Sequence, residues 1–352
     1  MPRGSSSTKR ALVIGENSAS LAHAVLLAHH GFETTLLEDD ESGVVRSRDF
    51  LMRLYDRQVD WQADIIKPTP LAFENLTGRF DVLIDAGDAT LLERVQKLSA
   101  LSTHLNSSTF IAFQTSTPDA LVGKELSGEF PPLHQFQILG SPHLAKLVEY
   151  AKFEDADNDT SVQFWQMLGK QVVITKPQGK FVANRLTSKL YETLDNLLLE
   201  GVLPYEVDEA LTKFGFQIGP YEAQDLTGLD GPFYERKHAN KASIISDRLV
   251  QEGRLGKKAG VGWYRYPGGG GAVIDPLLED LIVEEAHFAK VERRAFAEQE
   301  IVSNVVAALA EEAELVLKMN IVQSACDLDK LSMQALHFPH GGICSYADKH
   351  RS

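Results

Sequence analysis

The feature that most limits this chain is a short apolar run that ends in glycine and passes straight into a helical pattern. Residues 11–15 read ALVIG. A strand with no polar side must be covered on both faces, as in a parallel sheet packed between helices. Residues 17–30 then take helical spacing, with Leu21, Ala24, Val25 and Ala28 on one face. Gly31 follows, a residue suited to ending a helix. Residues 34–38 make a second strand. Residues 81–86, 110–114, 135–139 and 171–175 read as further strands, and 91–101 as a helix. Alternation of strand and helix predicts an α/β, Rossmann-like doubly wound parallel sheet.

Near residue 180 the period changes. Stretches 181–200, 207–214, 242–252, 298–319 and 327–336 all carry helical spacing. They predict an all-α domain made of two repeats. In the first, Asn184, Leu203, Val207–Asp208 and Phe216 to Gly219 follow in order. In the second, Asn304, Ile321, Leu328–Asp329 and Phe338 to Gly341 do so about 120 residues later. The expected division is 1–179 for a Rossmann-like NAD-binding-type domain and 180–266 for a first helical repeat. A linker over 267–297 would contain the glycine run 268–271, and 298–352 would be the second repeat.

Of 352 residues, 35 are Lys or Arg and 49 are Asp or Glu, a formal charge of −14. That balance excludes nucleic acid and anionic membrane as expected partners, since both require an electropositive face. No stretch approaches the ~20 apolar residues of a membrane span. Cys326 and Cys344 cannot make a disulfide framework and read as reduced thiols, which points to the cytoplasm. No Cys/His spacing suits zinc.

A strand, a turn and a helix over 11–30 form the unit on which dinucleotides bind, through Gly-x-Gly-x-x-Gly. Here the turn is Gly15-Glu16-Asn17-Ser18-Ala19-Ser20. Gly15 keeps the first glycine. Asn17 puts a side chain where backbone would approach a pyrophosphate, and Ser20 is small enough for the third position. Glu16 adds a negative charge beside it. Glu38, 23 residues after Gly15, suits the ribose hydroxyls of NAD. The turn therefore reads either as an NAD site or as a sheet that no longer binds a dinucleotide well.

Several stretches together resemble the 3-hydroxyacyl-CoA dehydrogenase family. They are Phe181-Val182-Ala183-Asn184-Arg185, Gly219-Pro220-Tyr221 with Asp225 to Asp230, and Gly256 to Tyr264. Lys146-Leu147-Val148-Glu149 is also similar, and 338–348 resembles the last repeat of multifunctional fatty-acid oxidation enzymes. Their hydratase domain has no counterpart in this sequence. The resemblance implies NAD-linked oxidation of a 3-hydroxyacyl-CoA in fatty-acid β-oxidation. A His would take the hydroxyl proton, a Glu would orient the His, and a Ser and an Asn would hold the substrate oxygen. Residue by residue, the Ser position falls on Ser116, the Glu on Glu149 and the helix Asn on Asn184. The His position falls on Gln137, and a second Asn becomes Gly140.

An amide cannot accept a proton near neutral pH. Gln137 can bond a substrate oxygen, but it cannot be the general base. His134 lies about 10 Å away along a strand and on its other face, so it would need a bulge to help. It and His143 read as rim histidines. Glu149 reads equally as a helix carboxylate, and Ser116 and Asn184 equally as helix caps. Arg46, Arg48, Arg53 and Arg57 form a basic run that suits CoA phosphates or a solvated helix face. Two functional readings stay open: a dehydrogenase with lost or altered activity, or a non-catalytic acyl-CoA-binding or scaffold relative. The paired repeats predict a monomer closed on itself, or association with a separate hydratase or thiolase.

Overall fold

The computed structural model describes residues 8–55, 66–70, 76–119, 130–153, 158–176, 178–238 and 240–350. The chain divides into two compact units. One is residues 1–182 with 320–323; the other is 183–319 with 324–352.

The first unit is an eight-stranded sheet in the order β3-β2-β1-β4-β5-β6-β7-β8. The strands are β1 (Arg10–Ile14), β2 (Glu33–Glu38), β3 (Ile66–Pro70), β4 (Val82–Asp85), β5 (Phe110–Gln114), β6 (Leu133–Ile138), β7 (Leu147–Ala151) and β8 (Gln171–Thr175). Its helices are α1 (Ser18–His29), α2 (Glu41–Tyr55), α3 (Leu91–Leu101) and α4 (Asn158–Met167). Alternate strand residues feed two cores. Ala11, Val13, Ala112 and Phe136 meet Ala24 and Leu27 of α1 and Trp165 of α4. Leu12, Ile14, Ile111 and Phe113 meet Val95, Leu98 and Leu101 of α3. Burial on both faces explains why β1 needs no polar residue.

Three features differ from the sequence expectation. First, β7 and β8 run antiparallel to the other strands, with Gln137 directly opposite Glu149 across β6 and β7. Glu149 is thus a strand residue and not a helix carboxylate. Second, β3 (IKPTP) holds two prolines. It pairs only with β2, and an edge is where a sheet tolerates residues that cannot donate. Third, residues 320–323 rejoin the sheet unit, where the Lys176 amide donates to the Ile321 carbonyl at 2.9 Å.

The second unit holds nine described helices: α5 (Val182–Glu200), α6 (Pro204–Phe214), α7 (Pro220–Thr227), α8 (Asp230–His238), α9 (Ile244–Gln251), α10 (Pro276–Phe288), α11 (Glu298–Lys318), α12 (Ala325–Leu336) and α13 (Ile343–His350). The α5 helix begins at Val182, the last residue of the sheet unit's main segment. Asp208 accepts from the amides of Tyr221 and Glu222, each at 3.0 Å. Asp329 does the same for Cys344 at 2.7 Å and Ser345 at 3.2 Å. Gly219 and Gly342 lie against these carboxylates, with no room for a Cβ. The partner of Gly219 is therefore Gly342, one residue beyond the expected Gly341.

The repeats pack on each other. Phe338 stands edge-to-face with Phe214 and Phe216, at 6.0 and 5.6 Å, and Arg185 pairs with Glu312. The stretch expected as a linker over 267–297 contains α10. Asp275 caps that helix, Pro276 starts it, and Leu278, Leu281, Ile282 and Ala286 bury its inner face. The glycine run drew attention from this pattern.

Candidate active site

The phosphate turn is built by β1, α1 and the segment after β4. Gly15 has φ +135°, and a Cβ there would meet Gly87 N at 3.0 Å and Ala86 C at 3.1 Å. Only glycine serves where two backbones pass this closely. Asn17 is the N-cap of α1. Its Oδ1 accepts from Ser20 N at 2.9 Å, while Nδ2 donates to the Ala86 carbonyl at 2.6 Å and to Asp88 Oδ1 at 3.0 Å. Ser20 Oγ donates back to the Gly15 carbonyl at 2.6 Å. Glu38, at the end of β2, is buried and accepts from Ser47 Oγ on the inner face of α2. Glu16 is exposed, and its carboxyl is held above its ordinary value chiefly by the charge of Asp39. Burial, a hydrogen bond with Asp39 and the charge of Asp88 add to this. Carboxylates thus surround the place where a phosphate would lie.

At the other end of the sheet's carboxyl edge, Gln137 Nε2 donates to Glu149 Oε2 at 2.8 Å. Both residues are buried. Glu149 Oε1 accepts from Val182 N at 2.6 Å. The first amide of a helix favours a negative group, so Glu149 caps this chain reversal as well as facing Gln137. Ser116, half-buried, lies two residues past β5, and its carbonyl accepts from Phe181 N at 3.4 Å. Ser116, Gln137 and Glu149 are therefore gathered by the Phe181–Val182 segment. Asn184 stands in the first turn of α5, past the cap position, and belongs to the second unit.

Neither histidine near Gln137 substitutes for a base. His134 is buried, not at a rim. Its ring stacks on Phe110 at 4.5 Å and its Nδ1 lies 3.0 Å from Tyr150 Oη. His143 is half-buried, in ring contact with His29 at 4.7 Å. Of the basic run, Arg46, Arg48 and Arg53 lie on α2, with Arg46 donating to Ser42 Oγ at 2.9 Å. Arg57 lies outside the described residues. No group of three metal-ligating side chains occurs among the described residues.

Sequence reading missed Arg94. It is buried on α3, donates to Asp85 Oδ1 at 2.8 Å and to the Gln114 carbonyl at 2.8 Å, and so ties the end of β4 to the end of β5. The available signal was an arginine on the apolar stripe of Leu91, Val95, Leu98 and Leu101. His23 was missed too. It is buried beneath β5, Nε2 lies 2.5 Å from Gln114 Oε1, and burial lowers its pKa to about 4.

The family profile of the 3-hydroxyacyl-CoA dehydrogenase C-terminal domain matches residues 181–266. The peroxisomal bifunctional enzyme of Danio rerio is 26% identical over 367 residues, covering 96% of this chain and 51% of that protein. Over residues 181–266 the chain is thus similar to the C-terminal domain of 3-hydroxyacyl-CoA dehydrogenases. The fatty acid oxidation complex subunit alpha of Acinetobacter baumannii is 28% identical over 308 residues, covering 81% of this chain and 41% of its own length. Hence the chain spans about half or less of these curated relatives.

Among solved structures, 3-hydroxybutyryl-CoA dehydrogenase of Escherichia coli K12 superposes with a TM-score of 0.78 at 18% identity, over 97% of this chain and 91% of that one. The dehydrogenase part of multifunctional enzyme 1 from C. elegans gives 0.65 at 20% identity, over 95% and 80%. These likenesses establish a Rossmann-like sheet followed by a helical domain.

The turn after β1 keeps backbone exposed at the start of α1. Gly15 allows the close approach, and the Ser18 and Ala19 amides at the start of α1 face no acceptor among the described residues. Glu38 stands at the end of β2. The departures are in side chains: Asn17 occupies the second-glycine position and Glu16 brings charge.

Proposed function

We propose that this chain is a 3-hydroxyacyl-CoA dehydrogenase-like oxidoreductase of fatty-acid β-oxidation, NAD-linked, with its proton-abstracting step altered. The observation that supports the reading is the buried Gln137–Glu149 pair, taken here as standing where a base and its orienting carboxylate would be. In this reading Gly15, the amides of Ser18 and Ala19, and Glu38 hold the dinucleotide, which supplies hydride acceptance when bound. Ser116 holds the oxygen at carbon 3 of the thioester. Glu149 fixes the Gln137 amide, and Gln137 bonds the hydroxyl without taking its proton. Water has to accept that proton, so turnover is slow. A positioned base contributes about 10²–10⁴-fold.

The same reading makes the protein cytoplasmic and closes its repeats on each other, with hydratase or thiolase steps supplied by a separate chain. No described helix is long and apolar enough to cross a membrane. The test is NADH formation from 3-hydroxybutyryl-CoA, preceded by NADH fluorescence titration. Slow, saturable turnover is expected. No binding at millimolar NADH would remove the dehydrogenase reading. A second reading, a non-catalytic acyl-CoA-binding relative, is favoured by one observation: Asn17 ties the phosphate turn to Ala86 and Asp88.

A further inference from the structure

We propose that Gln137 makes the site select a thioester bearing a hydroxyl at carbon 3 over one bearing a ketone there. The inference rests on the acyl-thioester reading above. Its basis is the way Gln137 is held. Glu149 accepts on both oxygens, from Gln137 Nε2 at 2.8 Å and from Val182 N at 2.6 Å. A carboxylate offers only acceptors, so the amide nitrogen must face Glu149 and the amide oxygen must point the other way. Rotating the amide would set its oxygen against the carboxylate in a buried place, where an unmatched polar contact is costly.

The buried side-chain polar atoms without a partner among the described residues are His23 Nδ1, Ser161 Oγ, Trp165 Nε1 and Tyr221 Oη. Gln137 Oε1 is not one of them, and no described donor bonds it. It is left open near the carboxyl end of β6. An open amide oxygen accepts a hydrogen bond and offers none. A 3-hydroxyl donates to it. A 3-ketone brings only lone pairs, so two acceptors would face each other. A protonated imidazole in the same place would do the reverse and donate to the ketone. The site therefore reads the reduced form of the pair.

The experiment is isothermal titration of the full chain with 3-hydroxybutyryl-CoA, acetoacetyl-CoA and butyryl-CoA. One hydrogen bond gained and one repulsion avoided should make the hydroxy thioester bind about tenfold tighter than the keto thioester. Gln137→Met should bring the hydroxy thioester to the affinity of butyryl-CoA. Gln137→His should move the preference toward acetoacetyl-CoA. Equal affinity for all three in the unsubstituted protein overturns the selection while the thioester reading stands. Binding of none takes both down. The three-ligand comparison decides the matter even if Gln137→Met does not fold.

Discussion

In the helical unit, Asp208 grips the amides of Tyr221 and Glu222, and Asp225 grips those of Trp263 and Tyr264, each at 2.9 Å. A Cβ on Gly262 would stand 1.9 Å from Asp225 Oδ1. These are the stretches by which the sequence resembles its family, and each has a mechanical task. At the carboxyl edge of the sheet the proposed reading sets Asn17 at the second-glycine position and Gln137 at the position of the base. Both residues are held in place, Asn17 by Ser20, Ala86 and Asp88 and Gln137, through its amide nitrogen, by Glu149. The difference separates what holds the fold from what performs the reaction. In the proposed reading the scaffold is kept around a site whose chemistry has changed.

The sharpest break of this comparison would be a helical motif that proves dispensable. Asp208→Ala leaves the amides of Tyr221 and Glu222 and the hydroxyl of Tyr264 without their acceptor. Denaturant unfolding should show a loss of about 4 kcal/mol, at about 1–3 kcal/mol for each buried donor with part regained from water. A loss under about 1 kcal/mol would make Asp208 incidental. Arg94→Ala tests the sheet in the same way. It strands buried Asp85 and unties β5, and about 3 kcal/mol should go with it, since breaking a buried pair is strongly destabilising.

Acidity gives a third measurement. Burial pushes the Asp208 carboxyl up to about 6, against the hydrogen bonds from Tyr221, Glu222 and Tyr264 that oppose it. Between about pH 4 and 6 the folded chain keeps a proton that the unfolded chain has released. This group's contribution therefore falls as pH rises through that window and stays low above it. Asp208→Asn should flatten the slope of unfolding free energy there. An unchanged slope would assign it to other groups, Asp195 first, whose carboxyl burial also raises to about 6.

The smallest effect is expected at the phosphate turn. Asn17→Gly removes the cap and the two ties to Ala86 and Asp88, at a cost of about 1 kcal/mol. NADH should bind this variant more tightly in fluorescence titration. Equal or weaker binding would mean that Asn17 does not obstruct the turn.

Much of this was legible beforehand. The run ALVIG announced a doubly covered strand, because only burial on both faces removes the need for a polar side. Glycine-rich stretches at 219–230 and 256–264 carried the family resemblance, because close packing on Asp208 and Asp225 tolerates nothing larger. Spacing alone assigns Gln137 to the base position; the register of β6 and β7 sets it opposite Glu149. Other features were hidden. β7 reads LVEYA, and a glutamate within an apolar run signals a solvated helix unless its partners are known. Those partners, Gln137 and the Val182 amide, are 12 and 33 residues away. Helix α10 was masked by the glycines before it. The bonds of Asn17 to the β4 segment span 69 and 71 residues and leave no local signal.

The central claim is that Gln137 stands where the proposed dehydrogenase would carry its base. Gln137→His restores an imidazole opposite Glu149, whose Oε2 is already placed to accept from it. With NAD and 3-hydroxybutyryl-CoA, NADH formation should rise about 10²–10⁴-fold over the unsubstituted protein, following imidazole titration with pH. A correctly folded Gln137→His protein with no gain in rate would contradict the account.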